Sequence, residues 1–223
     1  MRLILALTPM ELYIAGINHF DPLCRVRLGE WLKYQSSCHS MTPAFIAVEA
    51  DAEVYRQLLV QREIFRKMLE KEFPNLQRDV KEMLALTIYY EADTHSTVFH
   101  ASTIIWLDAE RMFSRAAITD YAKDRLAIYR RFLNKGMALD KISEQLWNFD
   151  WNEQPTTPLG DPDHTRDDVF YKKIKDTCDL KNDSWAIAIV GATHAADREH
   201  SMRQLLESSG IKCHTAILNR QDR

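Results

Sequence analysis

The chain has 223 residues, of which 46% are hydrophobic and 27% charged. That length and balance fit one globular domain with a substantial core and exclude a disordered chain. A net charge of −3 leaves no basic footprint for nucleic acid. No run of 18 apolar residues is present to span a membrane.

The apolar start at residues 3–7 is shorter than a signal-peptide core and has no small-residue cleavage site behind it, so a cytoplasmic protein is expected. Residues 12–17 (LYIAGI) predict a buried strand. Asp21 and Pro22 predict the cap and first position of a helix running to about residue 35. A second strand is predicted at 44–48, ending at Glu49, then a helix from Asp51 to about residue 72 that Pro74 stops. Another helix is predicted over 76–92 and a third strand over 103–107, ending at Asp108. Helices are expected at about 109–117, 119–134 and 138–148. Pro155, Pro158, Gly160 and Pro162 mark a surface loop over 151–163. Beyond it the pattern predicts a helix at 163–178, a strand at 185–190, a helix from Asp197 to 208 and a last strand at 212–218. Strands that are continuously apolar and alternate with helices predict an α/β fold. Its central sheet is mostly parallel with helices on both faces, in a single domain of residues 1–223. A helical insertion or cap over about 109–150 completes it.

Cys24, Cys38, Cys178 and Cys213 form no CxxC pair and read as reduced thiols. Glycine is scarce, with six residues against the ~7% of average usage. Two of the six stand in the same setting. Ile14-Ala15-Gly16-Ile17-Asn18-His19 and Ile189-Val190-Gly191-Ala192-Thr193-His194 are each an apolar strand followed by Gly-x-x-His. In a parallel α/β sheet, ligands bind outside the carboxyl ends of the strands, where both histidines and Glu49 fall. Two imidazoles and a carboxylate suffice as ligands for a hydrolytic metal with open positions. Without a metal, the same trio can act as a general base with an orienting carboxylate. Strand-end histidines also serve as hydrogen-bonded structural residues, and Glu49 and Asp108 could equally cap the helices that follow. Glu91, Asp93 and His95 either line the crevice or form a solvated helix end. Arg166 can hold an oxyanion, since a guanidinium is a rigid fork of donors, or can make a surface pair with Asp163 or Asp167.

The ordered set is similar to the Tiki/TraB superfamily. It comprises Gly16-Ile17-Asn18-His19, Ala47-Val48-Glu49, the segment Ile104 to Arg111 with its Asp108, Arg166-Asp167 and Gly191-Ala192-Thr193-His194. The resemblance implies an α/β fold with a site at the strand ends, centred on His19, Glu49 and His194 with Arg166 as charge stabiliser. Asp108, Arg111 and His95 become candidates for contacting substrate. The Tiki branch implies a manganese- or cobalt-dependent metalloprotease, the erythromycin-esterase branch a metal-free histidine base, and the ChaN-like branch haem binding. The expected function is therefore a hydrolase of an amide, peptide or ester bond. A divalent metal (manganese, cobalt or zinc) would sit on His19, Glu49 and His194. A metal-free hydrolase and a non-catalytic haem or small-ligand binder are the alternatives. The expected partner is a small-molecule or peptide substrate, with no nucleic acid and no membrane; a homodimer stays open.

Overall fold

The structure, a computed structural model, describes residues 10–49, 51–91, 93, 97–100, 102–108, 115–148, 164–180 and 185–219. Its centre is β4 (Trp185–Gly191), buried at every position. Alternate residues of β4 feed two cores. Trp185, Ile187 and Ile189 join one, while Ala186, Ala188 and Val190 join the other. That is the period-2 geometry of a strand covered on both faces.

β4 pairs with β1 (Glu11–Ile17) on one side and β2 (Phe45–Val48) on the other. β3 (Thr103–Trp106) and β5 (Lys212–Ile217) form the edges, giving the order β3-β2-β4-β1-β5. Every pairing is parallel. All five predicted strands are present, within a residue of their expected ends. The α/β architecture with helices on both faces stands as expected.

On the first face lie α1 (Cys24–Cys38), α2 (Ala52–Glu72), α3 (Arg78–Ala85), α4 (Arg115–Leu133) and α5 (Leu139–Trp147). On the second lie α6 (His164–Leu180) and α8 (Met202–Ser208). Between β4 and α8 sits the four-residue α7 (Ala192–Ala195). The helical middle expected over 109–150 is present as α4 and α5. It packs on α2 through the Phe65–Tyr129 ring pair, 6.0 Å between centroids, and through the Ala122 amide donating to Gln61 at 3.2 Å. α2, expected to start at Asp51, starts at Ala52, and Asp51 is its cap, accepting from the Glu53 and Val54 amides.

Three local expectations are corrected. Asp21 does not cap α1. The helix begins at Cys24 with Leu23 in the cap position; Asp21 Oδ1 accepts from the Leu23 amide in the turn before it, while Oδ2 accepts from Arg27 and the Trp147 indole. The helix expected at 76–92 covers only Arg78–Ala85. Its continuation breaks into turns that lead to Tyr89 with a φ of 53°. Asp197 caps nothing: α8 starts at Met202, and Ser201 is its cap, accepting from the Gln204 amide. No described helix is long and apolar enough to cross a membrane. The breaker cluster at 151–163 and the helix at 109–117, apart from its last residues, lie outside the described residues.

Candidate functional site

Three adjacent strands, β2, β4 and β1, end side by side, and each delivers one member of the expected trio. Ile17 is in register with Gly191, so the two paired strands end together, with their Gly-x-x-His motifs offset by one residue. Glu49 follows β2, and its amide donates to the Ile189 carbonyl of β4 at 3.2 Å. His19 Nε2 lies 3.4 Å from Glu49 Oε2, and His194 Nε2 lies 3.8 Å from Glu49 Oε1. The two glycines permit this in different ways. Gly191 has backbone angles any residue adopts, but a Cβ there would stand 3.1 Å from Glu49 Oε2 and 3.4 Å from His19 Nε2. Its amide instead donates to Glu49 Oε2 at 2.5 Å. At Gly16 a Cβ would come within 2.5 Å of Ile217 and 2.9 Å of Ala195. Close approach, rather than a sharp turn, is what both positions require.

Each imidazole is anchored from behind. His19 Nδ1 bonds the buried carboxylate of Glu91. His194 Nδ1 bonds Asp167, which is fully buried, at 2.8 Å. With the Nδ1 atoms engaged, both Nε2 atoms turn toward Glu49, as in the carboxylate-backed histidines of metal and acid–base sites. Asp167 also accepts from the Met202 amide at 2.8 Å and from Arg198 at 2.5 Å. Arg166 does not pair with Asp167 as the surface reading had it. Its guanidinium donates to Glu49 Oε1 at 2.7 Å and to Asp108 at 2.8 and 3.1 Å.

Four carboxylates (Glu49, Glu91, Asp108 and Asp167) thus face two guanidiniums (Arg166 and Arg198). Burial works against the charge of Glu49, but Arg166, His19 and His194 outweigh it and hold its carboxyl well below the usual carboxylate range. Burial likewise opposes a charge on His19, yet Glu49 and Glu91 together push its imidazole well above the usual value. Asp167 is held low against its burial by His194, the Met202 amide and Arg198. Asp108 moves the other way: burial raises it, and Arg166 only partly offsets that with Glu49 close by. Among the described residues, no group of three or more His, Cys, Asp or Glu forms a ready metal cage.

The first face holds the His19 turn rigidly. Arg125, 1% exposed, donates to the His19 carbonyl at 2.5 Å and lies 4.1 Å over the Phe20 ring. The Tyr129 hydroxyl donates to the Phe20 carbonyl, and the Asn18 amide group reaches the Leu146 carbonyl at 3.2 Å. Tyr89, on its left-handed backbone, donates its hydroxyl to the Glu49 carbonyl at 2.8 Å.

His19, Glu49, His194, Arg166 and Asp108 are therefore brought together. His95 and Arg111 lie outside the described residues. Glu91 lies in the crevice and not at a solvated helix end, whereas Asp93 turns away to Arg62 and Tyr55. The sequence reading had no partner for Glu91, and it missed Arg125 and the backing role of Asp167. Only Asp167 left a local signal, its place directly after Arg166. No family model, no curated protein and no solved structure matches the chain.

Proposed function

We propose that the protein is a hydrolase of ester or amide bonds in which its two histidines divide acid and base work across Glu49. The carrying observation is the pair of imidazoles, each bonded through Nδ1 to a buried carboxylate, with both Nε2 atoms facing the same glutamate. His194, oriented by Asp167, takes a proton from water at Nε2. The hydroxide formed adds to the substrate carbonyl. His19, whose proton Glu49 and Glu91 stabilise, gives it from Nε2 to the departing oxygen or nitrogen. Arg166 stabilises negative charge on the carbonyl oxygen and keeps Glu49 in place. Such paired proton transfers contribute roughly 10²–10⁴-fold each. The chain order of these residues is also what the resemblance to the Tiki/TraB superfamily implies.

A second reading has its own support. The separations of 3.4 and 3.8 Å between imidazole nitrogens and Glu49 oxygens compare with the ~3.4 Å between tetrahedral ligands bound at ~2.1 Å. His19, Glu49 and His194 would hold a divalent ion, which would supply an acidified water and polarise the carbonyl. Against it, Arg166 and the Gly191 amide already engage both Glu49 oxygens.

Hydrolysis of p-nitrophenyl acetate by protein treated with EDTA tests the first reading. Activity should survive the chelator and be lost in both His19→Gln and His194→Gln. Activity that EDTA abolishes and manganese, cobalt or zinc restores would transfer the assignment to the second. Activity unchanged in both variants would overturn both.

A further inference from the structure

The two walls of the site differ in chemistry. On the second face stand the charged groups, with Arg166 and Asp167 on α6 and Arg198 after α7. On the first face the rings of His19, Tyr89, Tyr55 and Trp106 follow one another. Their centroids are spaced 6.4 Å, 6.4 Å and 5.6 Å apart, with His19 and Tyr89 near parallel at 21°. The two tyrosine hydroxyls along this ribbon are tied inward. The Tyr89 hydroxyl bonds the Glu49 carbonyl and the Tyr55 hydroxyl bonds Asp93, which Arg62 holds in turn. What the rings leave to present is apolar surface. Tyr89 is buried, but Tyr55 and Trp106 at the far end are only half-buried. Both stand at the carboxyl end of the sheet. Trp106 ends the edge strand two residues before Asp108, and Tyr55 lies in the first turns of α2 behind Glu49. A half-exposed aromatic pair continuous with buried site residues is the composition of a ligand wall, apolar with a few fixed polar groups.

We infer that this ribbon receives the apolar leaving arm of the substrate, making the preferred substrates esters or amides of medium-chain or aryl alcohols and amines. The inference rests on the hydrolase reading for its orientation. The ribbon starts at His19, which gives its proton to the departing group, so that group lies beside the rings. The carbonyl then faces Arg166 on the opposite wall.

Alkyl acetates test this, because ethanol, butanol and hexanol leave with nearly the same basicity and differ in apolar length. In wild-type protein, kcat/KM should rise at least tenfold from ethyl to hexyl acetate. In Trp106→Ala that ratio should fall below threefold, and in Trp106→Phe most of it should return. A flat wild-type series overturns the inference, as does a ratio untouched in a Trp106→Ala protein of normal Tm. A preference that follows the acyl side, seen with ethyl hexanoate, also overturns it. Binding separates this inference from the hydrolase reading. The affinity of His194→Gln protein for 1-naphthol, followed by fluorescence, should weaken at least fivefold when Trp106→Ala is added. If no ester is hydrolysed but that loss is seen, the ribbon stands and the hydrolase reading falls. If 1-naphthol does not bind, or binds equally in both proteins, the ribbon falls.

Discussion

The two Gly-x-x-His turns are alike in sequence and leave neighbouring strands one residue apart in register, yet their imidazoles are backed differently. His194 sits on a single helical turn, backed by one carboxylate whose charge Arg198 and the Met202 amide share. His19 sits on an irregular turn between two carboxylates, Glu49 and Glu91, while Arg125 holds only its backbone. The spacing of a motif thus sets where an imidazole stands, and residues far away in sequence set what it does there. Both imidazoles face Glu49 through Nε2, so the backing carboxylate separates the two: Asp167 is shared with Arg198 and the Met202 amide, whereas Glu91 joins Glu49 in raising His19. That division underlies the assignment of His194 as base and His19 as acid.

The largest effects should come from the imidazoles themselves. His19→Gln and His194→Gln should each lower kcat/KM for ester hydrolysis by roughly 10²–10⁴-fold. The double variant should be scarcely worse than either single one, since groups acting as a unit are not additive. Two independent, additive losses would contradict a shared site. The backing carboxylates come next. Asp167→Asn and Glu91→Gln should each cost roughly 10–100-fold, the range seen when such outer partners are lost. Only Glu91→Gln should move the alkaline limb of the pH–rate profile. In wild type that limb lies above the ordinary imidazole value of ~6.5, because Glu49 and Glu91 raise His19. In Glu91→Gln it should shift downward. A limb that shifts in Asp167→Asn instead would exchange the roles of the two histidines.

The fold was legible in the sequence wherever burial is two-sided. The three central strands β1, β2 and β4 are short, mostly apolar and largely buried runs, the edge strand β5 (KCHTAI) is more polar, and a parallel order follows from the helices between them. The trio was legible because Gly16 and Gly191 repeat one local pattern at strand ends. Two local readings failed because a tertiary partner overrode a local rule. Asp21 has the right chemistry to cap α1, but Arg27 and Trp147 hold Oδ2 and Oδ1 serves the turn one step before the helix. The helix expected through 92 gives way where Arg62 takes the carbonyls of Ile88 and Tyr89. Glu91 pairs with His19 across 72 residues, and no periodicity carries such a contact. Asp167 was named only as a neighbour of Arg166, and that both reach the site depends on how α6 rolls on the sheet.

The glycines sharpen the same comparison. Gly16→Ala forces a methyl into Ile217 and Ala195 and should cost about 1–3 kcal/mol of stability, the usual penalty of overpacking. For a domain of this size that is a Tm loss of roughly 2–4 °C per kcal/mol. Gly191→Ala meets Glu49 and His19 at the looser distances of 3.1 and 3.4 Å. It should leave Tm within about a degree but lower activity by displacing the Glu49 carboxylate, an effect of order tenfold. Calorimetry and ester hydrolysis on the two variants decide it. Equal losses of Tm would mean that the two positions share one packing role.

The smallest expected effect is a difference in how stability follows pH. Glu49 and Asp167 are held below their ordinary values. The stability each contributes is present above the unfolded carboxylate value near 4 and is lost as pH falls through the lowered one. Both turns therefore weaken together in acid. Toward alkali the His19 turn should weaken. Its imidazole is raised in the folded protein, so its contribution is complete below the unfolded value near 6.5 and disappears as pH rises through the folded one. Between pH 6.5 and 8.5 the wild-type Tm should fall by a few degrees. That window excludes buried thiols such as Cys24, whose value is pushed up to about 12 and whose loss of stability begins only above the ordinary thiol range. The decline should vanish in His19→Gln, shrink in Glu91→Gln and persist in Asp167→Asn. A decline that persists in His19→Gln would place the alkaline-sensitive proton elsewhere and remove the basis for naming His19 as the acid.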